Sequence, residues 1–152
     1  ETQLFQKNII KDNDLFANPI DLNDSNIPNG NSVYLLISNK LYSITNDKIW
    51  SERNEILKKS FHQVLNSYYS QMFSYYKTLD ICENNITFTF FGFNDEFQEI
   101  RDFLLLNYFE KSTFIYRKSK DEQYILICKN QTCSQKLKNI SEINNYLNER
   151  SI

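Results

Sequence analysis

The sequence has little of several features that would point to a function. It contains two glycines, two prolines, one histidine and three cysteines among 152 residues. Its net charge is −2, and no basic stripe runs between the aromatic residues, which argues against nucleic acid as a partner. No apolar run approaches the roughly 20 residues needed to span a bilayer, and no signal-peptide pattern opens the chain. We therefore expect no nucleic-acid partner, no membrane partner and a cytoplasmic location.

The three cysteines are too few for a disulfide framework, and their odd number fits a reducing compartment. Cys128 and Cys133 stand at a C-x4-C spacing, which differs from the C-x-x-C of thioredoxins and lacks a second pair for tetrahedral zinc. We predict that both are unbridged, metal-free thiols, one or both of them partly buried. A disulfide across a tight turn is the alternative, so these two residues form the candidate redox pair.

No arrangement of residues along the sequence marks an active site. Glu52, Glu55 and Asp80 are not paired as an acid and a base would be. His62 has no cysteine or aspartate at ligand spacing. We therefore predict no catalytic residue, no metal site and no cofactor.

The clearest local pattern surrounds a turn that contains Pro28 and Gly30. Asn31 and Ser32 supply side-chain oxygens suited to capping a helix, which we predict from residue 33 to about residue 44. Apolar residues then recur at spacings of three and four and draw one helical stripe. The stripe consists of Val33, Leu36, Ile37, Leu41 and Ile44.

Two further helices are predicted after a break at Asn46 and Asp47. Apolar side chains keep one helical face over residues 49–68, and a third amphipathic run covers residues 72–79, with a bend near Ser70. Helices with such short connections are typical of antiparallel helical hairpins.

The hydrophobic period changes at residue 84, which marks a second half of the chain. Residues 86–92, 113–116 and 124–128 predict strands, with helices capped by Asn94 and Ser141. The first two strands enclose a helix, so they should be parallel neighbours. We predict a mixed α+β fold, with helical hairpins over residues 1–82 and a small β-α-β-β-α subdomain over residues 83–152.

Two stretches resemble landmarks of a known family. Residues 15–24 read LFANPIDLND and residues 27–33 read IPNGNSV, and residues 124–133 read YILICKNQTC. They are similar to the patterns LxxRPK(D/E)xxDGxxPSGNSV and YxCx(N/G)xxCxxP of the thioredoxin-domain-containing, spermatogenesis-associated protein 20-like family. Asn18 and Ile20 replace that family's arginine and lysine, and Asn29 replaces the serine before its glycine.

The resemblance covers about residues 15–150 and implies an architecture. Family members carry a thioredoxin-like domain followed by a six-hairpin (α/α)6 toroid similar to sugar epimerases and glycosidases. This chain would be the C-terminal end of such a protein, without its thioredoxin-like domain. The parent protein would then act in carbohydrate metabolism, with catalytic groups upstream of this segment.

Asp24, Asn31 and Ser32 form the candidate ligand loop, since hydroxyl-seeking side chains at a toroid mouth bind carbohydrate. The competing interpretation is that Asn31 and Ser32 only cap a helix while Asp24 braces the loop. The competing function is a structural or protein-interaction module with a redox-sensitive cysteine pair.

A segment cut from a closed ring should leave one apolar helix face without its partner. The expected partner is the remaining N-terminal part of the parent protein, or a second copy in a homodimer. The candidates for that face are Val33, Leu36, Ile37, Ile49, Trp50 and Tyr76.

Overall fold

The computed structural model describes residues 4–5, 20, 22–24, 26–92, 95–108, 110–119, 122–129 and 132–149. The chain divides into two compact units, a helical unit of residues 1–82 and an α/β unit of residues 83–152. Within the described ranges, no helix is both long and apolar enough to cross a membrane. The expected cap at Asn94 lies outside these ranges, as do residues 15–19 and 21 of the first family landmark.

Helix α1 spans Gly30–Thr45 and begins earlier than the sequence pattern predicted. Its N-cap is Asn29, which has an extended backbone and accepts a hydrogen bond from the Ser32 amide. The prediction that Asn31 and Ser32 cap this helix is therefore wrong, because both already lie in its first turn. The helix ends where predicted, at Asn46, which adopts the left-handed conformation with φ of 56°.

Helix α2 spans Lys48–Tyr68 and is capped by Asp47, whose carboxylate accepts a hydrogen bond from the Ile49 amide. A short 3-10 turn, Tyr69–Gln71, confirms the predicted bend, and helix α3 follows over Phe73–Glu83. The core of the helical unit is built on the stacked rings of Phe61 and Tyr75, whose centroids lie 4.0 Å apart. Around them lie the buried side chains of Leu4, Leu22, Leu35, Leu57 and Met72.

The α/β unit has the predicted order of elements plus one short strand. It consists of β1 (Ile86–Phe91), α4 (Asp95–Tyr108), β2 (Ser112–Arg117), β3 (Tyr124–Lys129), β4 (Thr132–Cys133) and α5 (Ile140–Glu149). The described strands form one sheet in the order β2-β1-β3-β4. Strands β1 and β2 are parallel, as predicted for a β-α-β unit, whereas β3 runs antiparallel to β1.

One face of this sheet holds the core of the α/β unit. Phe88 and Phe90 of β1 pair in register with Ile127 and Ile125 of β3, so all four point to the same face. They pack with α4 and α5 through Phe97, Ile100, Leu104, Ile143 and Leu147. The chain thus contains a helical unit and a second unit with a mixed sheet and its own helices, which confirms the α+β class.

The last helix also begins one residue before its predicted cap. Asn139 accepts a hydrogen bond from the Glu142 amide at 2.9 Å, and its own amide group donates to the Glu142 carboxylate at 2.8 Å. This arrangement resembles a capping box, with Glu142 accepting from the Asn139 side chain and from the Lys138 amide, so Asn139 rather than Ser141 caps α5.

Candidate functional site

Asp24 is the centre of a polar cluster that joins the starts of two helices. Its carboxylate accepts hydrogen bonds from the Ser74 amide at 2.5 Å and from the Ser74 hydroxyl. It also accepts from the backbone and side-chain nitrogens of Asn29, each at 3.0 Å. The Asp24 amide donates to the Gln71 carbonyl at 2.8 Å.

The geometry makes Asp24 a capping residue for α3. That helix follows Met72, whose side chain offers no acceptor to the free amides of the first turn. The Asp24 carboxylate accepts from one of those amides across a sequence separation of 50 residues. A carboxylate at this place also complements the positive end of the helix dipole.

Asn29 links this capping carboxylate to α1. Its side-chain nitrogen lies 3.0 Å from the Ser74 hydroxyl and 3.2 Å from the Leu22 carbonyl. Its side-chain oxygen accepts from both the amide and the hydroxyl of Ser32, at 2.9 and 3.0 Å. Sequence reasoning missed Asn29, although asparagine is one of the residues preferred at a helix N-cap.

Asn31 is the third residue of the predicted ligand loop, and its side chain pairs elsewhere. It is buried, with its oxygen accepting from the Phe5 amide at 2.7 Å and its nitrogen donating to the Phe5 carbonyl at 3.1 Å. The Asn31 side-chain amide thus makes two hydrogen bonds with the backbone of Phe5, as a paired residue of a neighbouring β-strand does. Asp24 and Ser32 thus share one cluster through Asn29, while Asn31 ties the N-terminal segment to α1.

The pKa of Asp24 lies below its ordinary value of 3.8. Partial burial opposes ionisation and raises the pKa, but the hydrogen bonds from Ser74 and Asn29 together outweigh it. Asp24 is therefore ionised at neutral pH and holds its donors as a charged acceptor. Its oxygens are engaged in bracing the fold, which agrees with the structural interpretation of this loop.

Cys128 and Cys133 are joined in a disulfide, so the prediction that they are unbridged is wrong. They are directly opposite in the register of β3 and β4, with Cα atoms 4.0 Å apart. The Ser134 amide donates to the Ile127 carbonyl, which makes Ile127 and Ser134 the hydrogen-bonded pair and places the cysteines at the adjacent non-hydrogen-bonded pair. Opposing side chains come closest at such a pair, and sequence spacing alone does not reveal this register.

Among the described residues, no group of three or more His, Cys, Asp or Glu side chains is placed to hold a metal ion. Cys82, which is not part of the disulfide, is half-buried on α3. The Ser74 hydroxyl contacts the Asp24 carboxylate, but that carboxylate also accepts from the Ser74 amide and from both nitrogens of Asn29 and so serves as a helix cap. Comparison with protein-family models, curated proteins and solved structures finds no match. The likeness to the thioredoxin-domain family therefore stays a prediction from its two sequence landmarks.

Proposed function

We propose that this chain is a non-catalytic segment that completes a larger helical assembly through an apolar surface on α1. We define the α1 face as Val33, Ile37 and Ile44, whose spacing of four and seven residues puts them on one side of the helix. The proposed partner is another helical hairpin, as the resemblance to a six-hairpin toroid implies. A second copy of this chain is the alternative partner.

The observation that carries the proposal is the inverted polarity of α1. A surface helix of a globular protein normally buries its apolar side and exposes its polar side. Helix α1 instead buries Asn31, Ser32 and Ser38 beside Leu35. The exposed fractions of Val33, Ile37 and Ile44 are 39%, 49% and 44%.

The buried polar side of α1 is held by specific hydrogen bonds. The Ser38 hydroxyl contacts the side-chain oxygen of Asn54, a buried residue of α2. The Ser32 carbonyl accepts from the Thr78 hydroxyl of α3 at 3.5 Å. These contacts fix the rotation of α1 about its own axis, so the helix cannot turn its apolar side inward without leaving buried polar groups unpaired.

Exposed apolar side chains are concentrated in the helical unit. Of the twelve large exposed hydrophobic residues in the described ranges, ten belong to residues 1–82 and two, Leu106 and Tyr116, to residues 83–152. Four of the six residues expected on an unpartnered face are exposed, namely Val33, Ile37, Ile49 and Tyr76. Burying apolar surface lowers the free energy by about 25 cal/mol per Å². Covering this surface therefore favours association with a partner.

The polar loop supports a non-catalytic role for the segment. Binding of carbohydrate by Asp24, Asn31 and Ser32 would compete with the hydrogen bonds that cap α1 and α3. If the parent protein acts on carbohydrate, we propose that the groups for that reaction come from outside this chain. The cytoplasmic location is part of the same proposal, although a disulfide is more common in oxidising compartments.

Light scattering on the purified chain, with a dye that binds apolar surface, tests the proposal. We expect self-association or strong dye binding, and we expect Ile37→Glu to reduce both. Gln63→Glu is the matched control, because it adds the same charge at an exposed position of α2. A wild-type monomer without dye binding would refute the α1 face as a docking surface. A discrete dimer that Ile37→Glu dissociates would identify the second copy as the partner.

A further inference from the structure

We propose that the Cys128–Cys133 disulfide is a site of thiol–disulfide exchange, attacked at Cys133 by a low-molecular-weight thiol of the glutathione type. This site lies in the α/β unit and is independent of the α1 face. The proposal rests on the unequal exposure of the two cysteines and on the hydrogen bonds that flank them.

The two cysteines differ in their access to solvent. Cys133 is exposed on β4, a strand of two residues at the end of the sheet order. Cys128 is half-buried on β3, which has paired strands on both sides. The rate of exchange depends on which sulfur an attacking thiolate can reach, so exposure directs attack to Cys133.

The exchange step balances with two equivalents of thiol. A thiolate attacks the Cys133 Sγ, the Sγ–Sγ bond breaks, and its electron pair leaves with the Cys128 Sγ, which then takes a proton from water. A second thiolate attacks the small-molecule sulfur of the mixed disulfide and releases the Cys133 thiolate. The protein disulfide is reduced by two electrons, and two thiols are oxidised to one small-molecule disulfide.

The hairpin has other attachments that remain when the sulfurs separate. The Ser134 amide donates to the Ile127 carbonyl at 2.8 Å, and the Ile127 amide donates to the Ser134 hydroxyl at 3.0 Å. Leu137 and Ile125 exchange two backbone hydrogen bonds, and the Leu137 side chain is buried in the core. None of these hydrogen bonds involves a sulfur, so Ser134 and Leu137 stay bound to β3 when the disulfide opens.

Peptide mapping of the whole chain tests the site. The air-oxidised protein is treated with millimolar reduced glutathione, quenched with acid and digested with trypsin, which separates the two cysteines by cutting after Lys129. We expect a glutathione adduct on the peptide of residues 130–136, which holds Cys133, and none on the peptide that holds Cys128. Adduct mainly on Cys128 would overturn the proposal, as would three free thiols in the air-oxidised chain.

Two cysteine variants test which sulfur a small thiol can reach, and circular dichroism tests whether the fold needs the disulfide. In oxidised glutathione, Cys128→Ser should form the mixed disulfide at Cys133, and Cys133→Ser should lose most of that reaction at Cys128. Circular dichroism of the reduced wild type should keep the spectrum of the oxidised chain. A disulfide that reacts only after the chain is unfolded, or a spectrum that collapses on reduction, would show a purely structural bond and overturn the proposal.

Discussion

Replacing Asp24 tests whether one carboxylate braces the starts of two helices. In Asp24→Ala the amide of Ser74 and both nitrogens of Asn29 lose their charged acceptor. A hydrogen bond to a charged group contributes about 1.5–3 kcal/mol, and loss of a helix cap costs about 0.5–2 kcal/mol. The donors share one acceptor and can partly form hydrogen bonds to water after the substitution. We therefore expect the free energy of unfolding to fall by about 2–3 kcal/mol, which is less than the sum of the individual contributions.

The effect should depend on pH in a defined direction. The folded pKa of Asp24 is depressed, so its contribution to stability is fully present above the ordinary value of 3.8. That contribution is lost as the pH falls through the lower folded value. We therefore expect the stability difference between wild type and Asp24→Asn to be largest near neutral pH and to shrink below about pH 4.

The assay is urea unfolding followed by tryptophan fluorescence. Trp50 is the sole tryptophan and lies on α2, so its signal reports on the helical unit. Asp47→Ala is a suitable control, because Asp47 is an exposed cap whose side chain accepts a hydrogen bond from the Ile49 amide. Its expected cost is about 1 kcal/mol.

A double-mutant cycle with Ser74→Ala measures the coupling between Asp24 and the Ser74 hydroxyl, because this substitution keeps the Ser74 amide that Asp24 caps. If Asp24 acts through Ser74, the two substitutions together should cost clearly less than the sum of the single costs. The capping role assigned to Asp24 is wrong if Asp24→Ala costs less than the Asp47→Ala control, and additive effects would refute a contribution from the Ser74 hydroxyl. A loss that stays constant from neutral to acid pH would also contradict the assignment of an ionised Asp24.

Three further substitutions test local features by urea unfolding. Asn29→Ala should cost about 2 kcal/mol, at the upper end for a cap, because its side chain is buried and bonded on both sides. Ser32→Ala should cost about 1 kcal/mol or less, since it keeps the capped amide, and equal costs would contradict Asn29 as the N-cap. Gly92→Ala should cost about 1 kcal/mol or more, because Gly92 has φ of +70° and an added Cβ would lie 2.9 Å from the Gln123 side chain. An unchanged midpoint for Gly92→Ala would show that the loop adapts.

Local patterns in the sequence were sufficient for most elements of the fold. The change from helical to alternating period marked β1, and the β-α-β order implied that β1 and β2 are parallel, as they are. The break at Asn46 and Asp47 was also predicted, since both residues act through neighbours a few positions away. Such interactions join residues that are close in the sequence, so a local pattern is enough to predict them.

The features that could not be predicted depend on distant partners. Asp24 caps α3 from 50 residues away, and nothing near Met72 in the sequence indicates this. The disulfide depends on the register of β3 and β4, which one residue of slippage would abolish. The buried polar side of α1 depends on Asn54 and Thr78, so the apolar period of the helix did not indicate its buried side.

The contact between Asp24 and Ser74 has a consequence for the order of folding. Closing a flexible loop costs about (3/2)RT ln n, so the 50 residues between these partners impose a large entropic barrier while the chain is unfolded. Formation of the α1–α2 hairpin brings the start of α1 near the end of α2 and leaves about 11 flexible residues to close, which lowers that barrier by about 1 kcal/mol. We therefore expect the hairpin to form first and α3 to be fixed last. Substitutions at Asp24 should accelerate unfolding while leaving the refolding rate almost unchanged.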